Sequence, residues 1–156
     1  MKRMILIISI LSIFILTAKG PDDKRLVIVQ AEKIRPYEAV FNAVCKVESN
    51  NDPLAIGDRH LEEYSYGICQ IRQVRLDHYF ELTGIRYTVE DMFDPVKADK
   101  VFMYFADRIG PYDNERIIRN WNGGPNGINK KSTEKYYLKV KKNIYNARRT
   151  NKTVHR

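Results

Sequence analysis

The feature that most constrains this chain is an apolar stripe that runs into a carboxylate. Tyr37, Val40, Phe41 and Val44 recur at the three- and four-residue spacing of a single helix face, and the next position on that face is Glu48. Pro36 suits the first helical position and Glu38 the first turn, so a helix start near residue 36 is well signalled. A glutamate on the wet side of such a helix is ordinary. On the dry side it costs free energy unless it is paired, hydrogen-bonded or protonated. Glu48 is therefore either a functional acid or a buried glutamate satisfied by an arginine or backbone amides.

The rest of the chain is punctuated as helices. The polar stretch 50–65, with Pro53, Gly57 and the adjacent Glu62 and Glu63, reads as a loop that pairs in part as a small hairpin. A helix is expected over 70–83, closed by Gly84, and Thr88 with Asp91 resembles a capping box opening a single turn. Asp94 and Pro95 form an N-cap and first-position pair for a helix whose stripe is Ala98, Val101, Phe102, Phe105 and Ile109. A short helix over 114–121 is stopped by Gly123 and Gly124, and a last one from about 133 turns Tyr136, Tyr137, Val140 and Ile144 inward. The fold class expected is mainly α: a single compact helical domain with a small strand-bearing lobe or hairpin.

Lys2 and Arg3 precede the apolar run 4–16, the pattern of an export signal. That run is shorter than the roughly 20 residues a spanning helix wants. Residues 1–20 are read as a signal peptide or N-terminal membrane anchor and 21–33 as a tether in which 26–29 adds a short strand. Residues 34–149 form one domain, and 150–156 a basic tail. The expected location is the periplasm or cell envelope. Net charge is +8, but from Lys130 onward it is +9 and over 1–129 it is −1. A basic end favours an anionic envelope polymer or surface, or is simply a solvated helix face. Export makes nucleic acid the least favoured partner. Cys45 and Cys69 pair as a disulfide or sit as small buried hydrophobes. The three histidines do not fall at metal-ligand spacing, and neither a metal nor a cofactor is implied.

Three separated segments carry chemistry. They are Glu48 with Ser49; Gly67, Ile68, Cys69, Gln70 and Ile71; and the turn Asn120, Trp121, Asn122, Gly123, Gly124, Pro125. Together they offer an acid, amide hydrogen-bonding groups and an aromatic wall, a set that suits an N-acetylated sugar polymer. Here the chain resembles the soluble lytic transglycosylase (SLT) domain of the lysozyme-like superfamily, which cleaves peptidoglycan glycan strands. The same three segments, the helix start Met92-Phe93-Asp94-Pro95 and the final Thr133-x-x-Tyr136 occur in that family's order. Five ordered matches cover roughly residues 36–145.

The resemblance implies a lysozyme-like α+β fold with Glu48 as the catalytic acid and base. It further implies Ser49, Gly67, Ile68, Gln70, Trp121 and Asn122 as substrate-binding residues, with Tyr136 beside Glu48. The product implied is a 1,6-anhydro-muramoyl sugar, formed without water. Two departures bear on this. The family's serine nine residues after the acid is Gly57 here, and the loop that follows is enlarged. The enlargement admits Asp58, Glu62 or Glu63 as a second carboxylate, of which Asp58 is the leading candidate, and with it a water-using muramidase. A Cys45–Cys69 bridge would tie the acid's helix to the Gln70 segment. Two further readings are a non-catalytic peptidoglycan-binding assembly module, told apart by binding without turnover, and a Cys/His hydrolase. The second is disfavoured because a reactive thiolate needs an electropositive, partly exposed setting, whereas both cysteines lie in apolar stretches. A small catalytic domain behind an export signal also fits, by fold-level analogy, wall opening for a secretion or conjugation apparatus.

Overall fold

A computed structural model gives the fold for residues 35–110 and 112–154, with side chains through residue 149. The expected signal or anchor, tether and strand over 26–29, and the end of the basic tail, lie outside the described residues. Helix α1 spans Glu38–Ser49, with Pro36 in the turn just before it rather than at the first helical position. It stops because Asn50 and Asn51 both turn left-handed, at φ 59° and 67°, and the Asn51 N–H reaches back to the Cys45 carbonyl at 3.2 Å. Two short antiparallel strands follow, β1 (Ile56–Gly57) and β2 (Ser65–Tyr66), pairing Ile56 with Tyr66 and Gly57 with Ser65. This is the small hairpin lobe.

Helix α2 runs over Gln73–Thr83 and closes on left-handed Gly84. It starts later than the sequence pattern implies. Gln70 is left-handed at φ 52°, and Ile71 bridges back to Tyr66, so that segment extends the lobe instead of opening the helix. The Asp91 carboxylate accepts the Thr88 N–H at 2.9 Å ahead of a 3-10 turn, Glu90–Phe93. Asp94 caps α3 (Pro95–Ile109) by accepting from the Val96 N–H at 2.8 Å. Asp113 does the same for α4 (Asn114–Gly123), and α5 occupies Glu134–Val154.

The core lies among these helices. Val40, Val44 and Cys45 of α1 are buried with Ala98, Val101 and Phe102 of α3, Ile117 and Ile118 of α4, and Val140 of α5. Phe41 meets Phe102 edge-on at 5.4 Å between ring centroids. Phe102 is fully buried, so truncating it to alanine costs about 3–5 kcal/mol. Phe105 and Ile109, expected inward on the same stripe, are only half-buried, because they face a cleft. Arg119 is buried but satisfied, donating to Thr133 Oγ1, Glu115 and the Lys130 carbonyl. That network fixes the segment between α4 and α5. Among the described residues no helix is long and apolar enough to cross a membrane.

Candidate active site

Glu48 sits in the last turn of α1, where the stripe leaves the core and meets a cleft of about 750 Å³. Its Oε1 accepts a hydrogen bond from the Tyr136 hydroxyl on α5 at 2.6 Å. Burial disfavours the ionised carboxylate and raises its pKa to about 7; the Tyr136 hydrogen bond opposes the rise, the Asp58 charge adds to it, and Arg75 and Arg72 oppose it. The Tyr136 phenol moves up for the same reasons, burial first and the adjacent Glu48 second. It is a donor throughout the physiological range.

Asp58 lines the same cleft in the opposite electrostatic setting. Burial pushes its pKa up, but hydrogen bonds from Arg72 and Ser65 and the charges of Arg72 and His60 hold it below the usual carboxylate value. Arg72 Nη2 lies 2.7 Å from Asp58 Oδ2. One carboxyl thus titrates near neutral pH while the other is held toward its ionised form. Asp58 and Gln70 both have left-handed backbones, at φ 55° and 52°, the kind of strain that clusters at functional sites.

Gln70 lines the cleft, yet its amide is committed inward. Its Nε2 donates to the Gly67 and Ala55 carbonyls at 2.8 and 3.2 Å, and its Oε1 accepts from Ser65 Oγ at 2.7 Å. Gly57 makes room for this: a Cβ there would stand 2.0 Å from Gln70 Oε1. Trp121 and Asn122 also line the cleft. The indole is only 7% exposed, and the Arg75 guanidinium covers it at 4.2 Å from the ring centroid. It is a floor beneath an arginine, not an open stacking wall.

Ser49, Gly67 and Ile68, expected to touch substrate, lie outside the residues that line the cleft. The Ser49 hydroxyl donates to the Ile68 carbonyl at 2.9 Å, pinning the Gln70 segment to the end of α1. Gly67, at φ 72°, passes so close to Met92 that a Cβ would stand 1.8 Å from its carbonyl oxygen. These residues build the frame that holds the acid. Tyr136 also stands outside the lining and meets the cleft through its hydrogen bond to Glu48.

Against known families, the model of the transglycosylase SLT domain matches residues 25–144. The chain belongs to that family. It is accordingly a lysozyme-like, glycan-cleaving enzyme whose substrate is peptidoglycan. Two solved structures share the fold of this SLT domain. Tapes japonica lysozyme is 23% identical with TM-score 0.55, covering 66% of this chain and 86% of its own. A chain from the complex of Aeromonas hydrophila PliI with Meretrix lusoria lysozyme is 21% identical with TM-score 0.56, covering 67% and 88%. No curated protein matches the sequence.

The cysteines of the SLT domain bear on the choice between a bridge and two small buried hydrophobes. Cys45 and Cys69 do meet, Sγ to Sγ at 2.7 Å, but both are free thiols in the core, 1% and 0% exposed. Each projects from an apolar face into the same small space between α1 and the Gln70 segment. Burial and the neighbouring Cys45 raise the Cys69 thiol pKa well above its ordinary value, the reverse of what a thiolate nucleophile needs. Among the described residues no group of three or more His, Cys, Asp or Glu is placed to hold a metal ion.

Sequence reasoning passed over the cleft's arginines. Arg72 and Arg75 stand three residues apart at the start of α2, and that spacing was the available signal. Arg75 also donates through Nη2 to the Trp121 carbonyl at 2.8 Å, linking α2 to α4.

Proposed function

We propose that the chain is a peptidoglycan lytic transglycosylase that cleaves the MurNAc-β-1,4-GlcNAc bond, with Glu48 as general acid and then general base. The observation carrying this reading is a single carboxyl, poised near pKa 7 at the cleft and held by the Tyr136 hydroxyl at 2.6 Å. A group with a pKa near the working pH gives up a proton and takes one back with comparable ease. In the first step Glu48 protonates the glycosidic oxygen as the bond from the muramoyl C1 to that oxygen breaks. The GlcNAc hydroxyl departs and positive charge develops at C1. In the second, the Glu48 carboxylate takes the proton of the muramoyl C6 hydroxyl while that oxygen bonds to C1. A 1,6-anhydro ring results, Glu48 ends protonated, and no water is consumed. The Tyr136 O–H bond to Oε1 steadies the carboxylate between the steps and leaves Oε2 to the substrate.

A second reading, a water-using muramidase, has one observation in its favour: Asp58, its pKa lowered, shares the cleft with Glu48, whose pKa is raised to about 7. Its pairing to Arg72 weakens it as a nucleophile and supports the first reading. Digestion of purified peptidoglycan and weighing of the products separates the two. Anhydro-muropeptides support the transglycosylase; reducing-end products, heavier by one water, support the hydrolase. Glu48→Gln abolishes either activity with folding intact, and retained turnover refutes the assigned acid. The charged and apolar N-terminal segment supports residence in the cell envelope, and the +9 charge from Lys130 onward supports contact with an anionic envelope polymer. Fractionation of cells making the chain with and without residues 1–20 tests the first. Retention on a polyanionic resin tests the second.

A further inference from the structure

The cleft holds more positive charge than the chemistry at Glu48 uses. Arg72, Arg75 and Arg108 line it with the two carboxyls Glu48 and Asp58. Asp58 is matched by Arg72 at 2.7 Å, and Glu48 carries a full charge only above about pH 7. Arg75 has no such partner: among the described residues its guanidinium makes no ion pair. Instead it lies over aromatic rings, 4.2 Å from the Trp121 centroid and 5.3 Å from that of Phe105, with Nη2 tied to the Trp121 carbonyl. Burial lowers its pKa only to about 10, so it remains a cation. Arg108 is likewise without an acidic partner, resting near the Tyr104 ring at 5.8 Å.

A guanidinium held against an aromatic ring at the lining of a cleft is a preorganised fork for a planar anion. Keeping it half-buried and unpaired costs free energy, which an anion brought by the ligand recovers. We propose that Arg75, assisted by Arg108, forms a carboxylate subsite that selects glycan bearing an acidic substituent beside the bond being cut. The inference rests on the glycan-cleaving reading of the Glu48 cleft and adds a substrate class to it. Peptidoglycan offers this carboxylate from two sources: the lactyl group of a muramoyl residue whose peptide has been removed, or the stem peptide where it remains. Arg75 stands within electrostatic reach of Glu48, which favours a group attached directly to the sugar. The favoured substrate is then peptide-stripped glycan, and the reaction class that must supply it is amide hydrolysis between the lactyl group and the peptide.

The test uses the full-length Glu48→Gln protein, which binds without cutting, and calorimetric titration with three saccharides of equal length. These are chitotetraose, which is neutral; a peptide-free GlcNAc–MurNAc tetrasaccharide; and its peptide-bearing counterpart. The expected result is binding of the peptide-free acidic sugar about tenfold tighter than chitotetraose, an advantage that shrinks as salt is raised. Adding Arg75→Gln removes most of that ratio, and Arg75→Lys restores part of it, with a thermal melt confirming the fold of each. Tightest binding of the peptide-bearing sugar, lost with Arg108→Gln, assigns the same subsite to the stem carboxylate. Equal affinity of the folded Glu48→Gln protein for neutral and acidic sugars overturns the subsite while leaving the glycan reading in place. No affinity for any of the three overturns both.

Discussion

The protonation state of Glu48 has a consequence for stability that needs no substrate to measure. Its pKa is about 7 in the folded chain against 4.5 when solvated, so between those values the native state holds a proton that the unfolded state has released. Stability therefore falls as pH rises from about 4.5 to 7 and levels off above. At about 1.4 kcal/mol for each pKa unit separating the two states, the penalty above pH 7 is about 3 kcal/mol. Glutamine has the shape of the protonated acid, still accepts the Tyr136 hydrogen bond, and never ionises. Glu48→Gln is therefore expected to stabilise the domain by about 3 kcal/mol at pH 8 and by close to nothing at pH 4. Urea denaturation of both proteins at the two pH values reads the difference directly. A stability change that is the same at both pH values, or a loss at pH 8, refutes the claim that burial holds this acid protonated.

Further outcomes follow from the same geometry. Tyr136→Phe deletes a donor that favours the carboxylate, so the pH limb assigned to Glu48 moves upward by roughly one pH unit, read from kcat/KM against pH. Asp58→Asn removes a negative charge that raises the Glu48 pKa, so the same limb moves down; under the transglycosylase reading the product stays anhydro, checked by mass. Gly67→Ala destabilises far more than Gly57→Ala in thermal melts, because the new methyl meets the Met92 backbone at 1.8 Å in one case and a side-chain amide at 2.0 Å in the other. Gly57→Ala costs about 1–3 kcal/mol and lowers activity by displacing Gln70.

The elements that were legible in the sequence are those set by local rules. The stripe from Tyr37 to Glu48, the cap at Asp94, and the glycine stops all act within a turn or two of the residues that specify them. The site was legible only where a side chain's direction follows from its own helix, as with Glu48. Gln70 was expected to bind sugar, but its amide is taken up by Ser65, Gly67 and Ala55, partners fixed by how the hairpin folds back. Ser49 and Gly67 support the frame through contacts with Ile68 and Met92, which no helical period announces. Arg75 drew no reading from the sequence, because its setting is made by α4 bringing Trp121 beneath it. Packing between distant segments decided these roles.

The acid and its hydroxyl partner sit on the first and last helices of the domain, 88 positions apart in the chain. A nascent polypeptide thus emerges with its glutamate long before the phenol that steadies it. Until α5 docks, Glu48 lacks that partner. On the proposed reading, the complete Glu48–Tyr136 pair therefore exists only once α5 is in place, and a chain ending ahead of residue 134 is expected to show no turnover of peptidoglycan.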